Sequence, residues 1–171
     1  RIIERTSELT ALNNSLREAE LKFRTVANFT CDWEYWISTD NHIIFMSPSV
    51  ERVTGYTAEE FEHNMELLNT IIHPSDAEQW KNRNNNPCDK DIELTLRIIN
   101  KKGEIRWLNH LQRSVFVDGK YLGIRVSNRD ITEKVLAENR LLNITVDVEE
   151  RERNRFSSEL HDGMGPLLST I

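Results

Sequence analysis

Apolar residues recur every seven positions along two seams in the first 28 residues. The seams are formed by Ile2, Leu9, Leu16 and Phe23, and by Leu12, Ala19 and Val26. Such heptads predict a helix over residues 1–28 that forms a dimeric coiled coil. Polar Arg5 interrupts the second seam at its start, so a single amphipathic helix packed on its own domain is the alternative.

From about residue 31 the pattern changes to short runs. The aromatic and β-branched runs 32–38 and 42–47, separated by Thr-Asp-Asn, predict a hairpin. Short helices are predicted next, over two pieces on either side of Gly55, over 62–72 before Pro74, and after Pro74. Thr57 and Glu60 have the spacing of a capping box, and Ser75 or Asp76 is expected to cap the helix after Pro74.

Three strands are predicted over residues 91–100, 105–117 and 121–128, because apolar and polar residues alternate there and turn residues separate the runs. Two strands, short helices and three more strands predict an α+β fold with one antiparallel sheet. A long helix is predicted from Thr132, since no glycine or proline interrupts the next stretch. Its apolar positions are Ala137, Leu141, Ile144 and Val148.

Composition narrows the classes of function. A net charge of −6 gives no electrostatic support for binding nucleic acid. Cys31 and Cys88 lie far apart without metal-ligand spacing, which predicts free thiols and no metal site. No apolar run approaches the roughly 20 residues of a membrane span, and no signal peptide is recognisable. We expect a cytoplasmic piece of a longer protein, whose membrane anchor can lie upstream.

The region from about Phe23 to Thr132 resembles a PAS domain. The resemblance is carried by Trp33 and Trp36, Gly55-Tyr56, the run Ile-His-Pro-Ser-Asp at 72–76, the run Gly-Glu-Ile-Arg-Trp at 103–107, and Asp-Ile-Thr at 130–132. It implies a five-stranded antiparallel sheet with short helices on one face. Such domains often sense a ligand, a redox state or a partner, and the closing Asp-Ile-Thr commonly couples the last strand to an output helix.

The resemblance does not assign a cofactor. The Asn-Cys-Arg-Phe-Leu run of flavin-photochemical members is absent, and the helix after Pro74 carries Trp80 but no histidine for haem. His73 is expected to cap a turn. The remaining histidines before residue 161 are expected to be surface or hydrogen-bonded residues; they are His42, His63 and His110.

Three tryptophans allow two interpretations. Trp33, Trp36 and Trp107 either belong to the core, which we prefer, or line an aromatic cavity that holds a PAS ligand such as a flavin without covalent chemistry.

His161 lies beside the apolar stripe of a helix predicted over 151–171. The stripe consists of Phe156, Leu160, Met164, Leu167 and Ile171. The same-face neighbours of His161 are small, Ser157, Ser158 and Gly165, so we expect the ring to be reachable. A neutral imidazole can attack a phosphoryl group, and Asp162 can take the other ring proton or fix the tautomer. Pro166 predicts a bend just after the histidine.

The string from Glu150 to Leu168 resembles the phosphoacceptor box of sensor histidine kinases, in particular the subfamily of nitrate sensors and membrane-thickness thermosensors. The resemblance implies that His161 is phosphorylated from ATP with Mg²⁺ and that Asp162 is its acid/base partner. It further implies a homodimer through the coiled-coil and phosphoacceptor helices, and a response regulator as partner. The chain has no ATP-binding segment, so this piece should be inactive alone.

These observations predict four segments: a coiled-coil helix at 1–28, a PAS sensor domain at 29–131, a signalling linker helix at 132–150, and the start of the phosphoacceptor helix at 151–171. Two other functions stay open. One is a non-enzymatic PAS module for dimerisation or ligand binding that feeds a different output. The other is a redox or light enzyme with a bound cofactor.

Overall fold

The computed structural model describes the backbone of residues 2–83 and 91–168, and the side chains of residues 5–83 and 91–159. The helices are α1 (Ile2–Asn28), α2 (Ser49–Thr54), α3 (Ala58–His63), α4 (Leu67–Thr70), α5 (Ala77–Asn82) and α6 (Thr132–Leu168). The strands are β1 (Trp33–Ile37), β2 (Ile43–Met46), β3 (Ile92–Ile99), β4 (Ile105–Val117) and β5 (Lys120–Asp130). The predicted loop at 84–90, which includes Cys88, lies outside the described residues.

The five strands form one antiparallel sheet in the order β2-β1-β5-β4-β3. This confirms the predicted α+β class with one five-stranded antiparallel sheet, and the hairpin at the start of the domain. The turn between β4 and β5 contains Asp118 and Gly119, both with positive φ, as a tight two-residue hairpin turn requires. In this strand order the last strand, β5, pairs with the first, β1, which brings residues from both ends of the domain onto one surface.

The short helices follow the predicted signals at Gly55 and Thr57. Gly55 ends α2 in the left-handed region (φ 77°). Thr57 and Glu60 form the predicted capping box: Glu60 N–H donates to Thr57 Oγ1 at 3.3 Å, and Thr57 N–H donates to Glu60 Oε2 at 2.9 Å. Lys101 Nζ lies 2.7 Å from Glu60 Oε1, so the same carboxylate also anchors α3 to the turn before β4.

The helix predicted over 62–72 is shorter than the pattern indicated. Helix α4 ends at Thr70 because the next residues pair with β3: Ile99 N–H donates to the Ile71 carbonyl at 2.7 Å, and Ile72 forms a bridge with Ile98. The predicted cap after Pro74 also differs. Asp76 makes no capping hydrogen bond to α5, because its carboxylate binds Arg97 instead.

The core lies between the helices and one surface of the sheet, here called the inner face. It is formed by buried residues of both layers, chiefly Trp33, Tyr35, Val50, Val53, Phe61, Leu68, Leu96, Ile98, Leu108 and Val126. Alternate strand residues point inward, as the period-two pattern predicted. Polar residues also occupy inward positions, and these define the candidate site.

The chain divides into two compact units, residues 1–131 and 132–171. In the first unit, the rings of Phe23 and Phe45 meet edge to face, with centroids 6.2 Å apart, near the end of α1. The seam residues Leu9, Leu12 and Leu16 are exposed in the single chain. In the second unit, α6 is assigned as one helix through Pro166. Within the described ranges, no helix combines the length and apolar character of a membrane span.

Candidate functional site

A cavity of about 720 Å³ lies between the inner face of the sheet and helices α4 and α5. Its apolar wall includes Leu68, Ile72, Ile124 and Val126. Its polar side chains come from the strands β1, β4 and β5, from the turn after β1, and from α4, α5 and the residues next to these helices. A volume of this size is typical of pockets for small molecules, which combine an apolar wall with a few polar groups.

The sheet side of the cavity rests on a buried polar chain across β1, β5 and β4. Tyr35 and Gln112 line the cavity, and His110 and Asn128 are buried beside them. His110 Nδ1 lies 2.8 Å from Asn128 Oδ1, so this ring nitrogen carries the proton and donates it. Asn128 also hydrogen-bonds the Tyr35 hydroxyl. Together these bonds hold the inward polar side chains in fixed orientations.

Burial controls the protonation of both ionisable members of this chain. Desolvation raises the pKa of Tyr35 to about 12, so its hydroxyl stays protonated. Desolvation lowers the pKa of His110 to about 4, despite the opposing hydrogen bond with Asn128, and the nearby Arg83 charge lowers it further. The floor of the cavity is therefore electrically neutral at pH 7.

Helix α5 supplies the opposite wall with an aromatic ring and a cation. Trp80 is buried, its Nε1 donates to Asn69 Oδ1 at 2.7 Å, and its ring meets His110 edge to face at 5.3 Å. The guanidinium carbon of Arg83 lies 3.2 Å from the Trp80 ring centroid, and Arg83 Nη1 donates to the Trp80 carbonyl at 2.7 Å. Arg83 is thus fixed at the cavity wall by a cation–π contact and one hydrogen bond.

The run Ile-His-Pro-Ser-Asp at 72–76, which is part of the PAS resemblance, positions this wall. Asp76 accepts hydrogen bonds from the Arg97 backbone at 2.8 Å and from its guanidinium at 2.6 and 2.9 Å. These bonds hold the pKa of Asp76 below its usual range. His73 Nδ1 accepts from Ser75 N–H at 3.2 Å, which confirms the predicted turn-capping role. The run 72–76 therefore fixes the start of α5 against β3.

The other two runs of the resemblance, at 103–107 and 130–132, lie where β4 meets the end of β5. Arg106 Nη1 lies 3.6 Å from Asp130 Oδ2, and Ile131 N–H donates to the Trp107 carbonyl at 2.9 Å. Asn100 Oδ1 accepts from Glu104 N–H at 2.8 Å and so closes the turn before β4. These contacts connect the turn and β4 to the residues that directly precede α6 in the chain.

Of the three tryptophans that we expect in the core or, as the alternative, in one aromatic cavity, only Trp33 lies in the core, and the three do not line one cavity. Trp33 belongs to the core and packs against Phe61 at 5.6 Å. Trp36 points to the other face of the sheet, where it lines a separate pocket with Phe23. Trp107 also faces outward, with the Arg97 guanidinium 5.1 Å from its ring. The strand alternation separates them, and the aromatic residues of the larger cavity are Tyr35, Trp80 and Tyr121 instead.

The other histidines divide into two kinds. His42 and His63 are exposed, and each has Nδ1 at hydrogen-bond distance from a nearby carbonyl. His110 is buried and hydrogen-bonded, so the surface alternative is wrong for this residue alone. The inward position of His110 could have been predicted from the sequence. Leu108, His110 and Gln112 are two residues apart on β4, which puts all three side chains on the same side of the strand.

His161 and Asp162 lie within α6, and their side chains lie outside the described residues. At about 1.5 Å per residue, His161 is about 44 Å along the helix axis from Thr132. The described exposed apolar residues of α6 include Leu141, Ile144 and Val148, which continue the predicted stripe.

The comparisons with known proteins agree on the fold. Residues 43–124 match the PAS fold family. The structure is similar to the domain of a putative light and redox sensing histidine kinase from Haloarcula marismortui, at 20% identity and a TM-score of 0.52, covering 65% of this chain and 98% of that one. No curated protein matches.

Two further solved structures have the same likeness. A PAS domain from Colwellia psychrerythraea is 22% identical with a TM-score of 0.51, over 66% of this chain and 98% of that one. The N-terminal domain of a diguanylate cyclase with PAS/PAC sensor from Marinobacter aquaeolei is 18% identical with a TM-score of 0.52, over 60% and 97%. At these identities the likeness establishes the PAS fold.

Proposed function

We propose that this chain, which contains a PAS domain, is the sensory and signal-transmitting segment of a two-component sensor histidine kinase. The observation that carries the proposal is the phosphoacceptor-like box around His161, located on the helix that follows β5. A PAS fold occurs both in the putative kinase from Haloarcula and in the cyclase from Marinobacter. The choice of output therefore rests on the box and not on the fold.

In the proposed reaction, a neutral nitrogen of His161 attacks the γ-phosphorus of ATP. The N–P bond forms as the bond from phosphorus to the ADP oxygen breaks. Asp162 accepts the proton of the other ring nitrogen as the imidazole becomes cationic, or holds that proton in place. The phosphoryl group then passes to an aspartate of a separate response regulator. ATP and Mg²⁺ are bound by a kinase domain that this chain does not contain.

The PAS domain would control this step through α6. A stimulus that changes the packing around the inner-face cavity can reach Arg106 and Asp130 through β4 and β5, because both strands line the cavity and carry that ion pair. Helix α6 then shifts or rotates against its dimer mate and changes the access of the ATP-bearing domain to His161. Such a switch needs two states that differ by only a few kcal/mol.

The decisive experiment joins this chain to the second hairpin helix and ATP-binding domain of a kinase of the resembling subfamily. With γ-labelled ATP, we expect acid-labile label on the wild type, none on His161→Gln, and full label on the exposed control His42→Gln. Asp162→Asn should slow labelling by about 100-fold, because it removes the acid/base group. Label on His161→Gln equal to wild type would leave only a PAS module with another output.

A further inference from the structure

Arg83 contributes a positive charge to the inner-face cavity that no described carboxylate neutralises. Among residues 5–83 and 91–159, its guanidinium makes one hydrogen bond, to the Trp80 carbonyl, and one cation–π contact, with the Trp80 ring. The residue is half-buried. Burial of the cation lowers the pKa of Arg83, which reflects the cost of removing a charge from water without a counter-ion. An anion beside it would offset that cost.

The charge balance of the cavity wall also favours an anion. Among the residues that the structure describes, its charged side chains are two cations, Arg83 and Lys81, and one anion, Glu66. The Glu66 carboxylate is exposed and accepts a hydrogen bond from Asn69 at 3.1 Å, so it is directed to a partner on its own helix. This positive balance contrasts with the net charge of −6 of the whole chain.

The other residues of the cavity wall indicate that the rest of the ligand is apolar. Hydrogen bonding from Asn128 leaves the Tyr35 hydroxyl proton available for donation, and Gln112 adds an amide on the same side. Ile124 and Val126 on β5 form an aliphatic surface between Tyr35 and Gln112 on the sheet, and Leu68 of α4 adds to it from the helical side of the cavity. A fully polar ion such as phosphate would leave this aliphatic wall unused, whereas an apolar body would bury it.

We propose that the inner-face cavity binds a small organic carboxylate whose anionic group pairs with Arg83 and whose apolar body packs against the aliphatic wall. This inference deepens the proposed sensory function and rests on it for the biological role of the ligand. Arginine suits the task because its planar group can present two parallel N–H donors to a carboxylate. The hydrogen bond to the Trp80 carbonyl uses one of its five N–H donors and leaves four.

The test compares acids with neutral isosteres on the complete 171-residue chain. Calorimetric titrations use three matched pairs: benzoate and benzamide, 2-naphthoate and 2-naphthamide, and decanoate and decanamide. We expect at least one acid to bind roughly 10- to 100-fold more tightly than its amide, as for a charge-assisted hydrogen bond in a partly buried site. Arg83→Gln should remove this preference and leave the affinity for the amide unchanged.

Lys102→Gln is the matched control, because Lys102 is an exposed cation that does not line the cavity. It should change both affinities by less than about twofold. Equal binding of acid and amide, an unaltered preference in Arg83→Gln of unchanged melting temperature, or no binding of any acid near 1 mM would overturn the proposal. Because binding is measured directly, a negative result leaves the His161 labelling test intact, and failure of that test leaves this result standing.

Discussion

Residue by residue, the inner face of the sheet shows how burial sets the charge of a side chain. His110 is only 1% exposed and its ring is held between Asn128 and Trp80. A cationic ring at this position would lie close to the Arg83 guanidinium, which adds repulsion to the cost of desolvation. The folded protein therefore keeps His110 neutral at pH 7, and this makes its free energy of unfolding depend on pH.

We predict that the domain with the PAS fold loses stability in mildly acidic solution because of His110. The unfolded chain takes up a proton on this ring near pH 6.5, whereas the folded chain takes it up only near pH 4. The unfolded state binds more protons between these values, so stability falls as the pH falls through this window. The loss should reach about 3 kcal/mol, measured by urea unfolding followed by tryptophan fluorescence.

His110→Gln should flatten this part of the pH profile, although it lowers stability at pH 7. His42→Gln changes an exposed histidine and should leave the slope as in the wild type. Asp76 also loses stabilising contacts in acid, but its pKa lies below the usual carboxyl range, so its effect falls at the acidic end of the window and below it. An unchanged slope in His110→Gln would show that another group carries the dependence.

Among the secondary structure elements, the pairing of β1 with β5 closes the domain and depends on one glycine. Gly123 on β5 has φ +121°, and a Cβ there would meet the Ile37 carbonyl and lie 2.9 Å from Ser38 Cα. Both atoms belong to the backbone and cannot rotate away. Only a residue without a side chain lets the two strands approach this closely.

Gly123→Ala should therefore destabilise the domain by at least about 2 kcal/mol, from backbone strain plus the clash. Gly103→Ala is the control, because Gly103 also has a positive φ (81°) but has open space around it. That substitution should cost about 1 kcal/mol. Thermal unfolding by circular dichroism measures both, and equal melting temperatures for the two variants would contradict the role assigned to the close approach.

The seam residues Leu9, Leu12 and Leu16 of helix α1 are exposed in the single chain, and the predicted dimer would cover them. We predict that Leu9→Asp with Leu16→Asp weakens self-association at least tenfold, because charges would face each other in the seam. The control pair Asn13→Asp and Asn14→Asp adds the same charge at exposed positions off the seam. Light scattering across a dilution series gives the dissociation constants. Equal constants for both double variants would favour the single amphipathic helix.

The sequence predicts the elements well because their signals are local. Period-two alternation specified β3, and the Thr57–Glu60 spacing specified the start of α3. The cavity was not predictable in this way, since Tyr35, Trp80 and Arg83 come together only through sheet closure and the docking of α5. The predicted end of the helix before Pro74 was wrong because it also depends on tertiary contacts. Ile71 and Ile72 pair with β3, and this pairing overrides the helical pattern.

For the molecule as a whole, the proposed signal must travel along a helix whose apolar stripe is interrupted. Apolar residues continue to Val148, but residues 149–155 are all charged or polar before the stripe resumes at Phe156. In the proposed dimer, we therefore expect no seam of apolar side chains within that interval. We predict that the kinase, if the proposal holds, relies on the continuity of the helix there to transmit rotation to His161.

Insertions after Val148 test this dependence in the kinase fusion described above. Each inserted residue rotates the following helix by about 100°, so two residues turn His161 by about 200°, whereas seven return it to within about 20° of its original direction. We expect the two-residue insertion to change the initial rate of His161 labelling more than tenfold, and the seven-residue insertion to keep it within about threefold of the wild type, although it lengthens the helix by about 10 Å. Rotation and distance are thereby separated. If both insertions altered the rate equally, the helix would transmit position along its axis and not rotation about it.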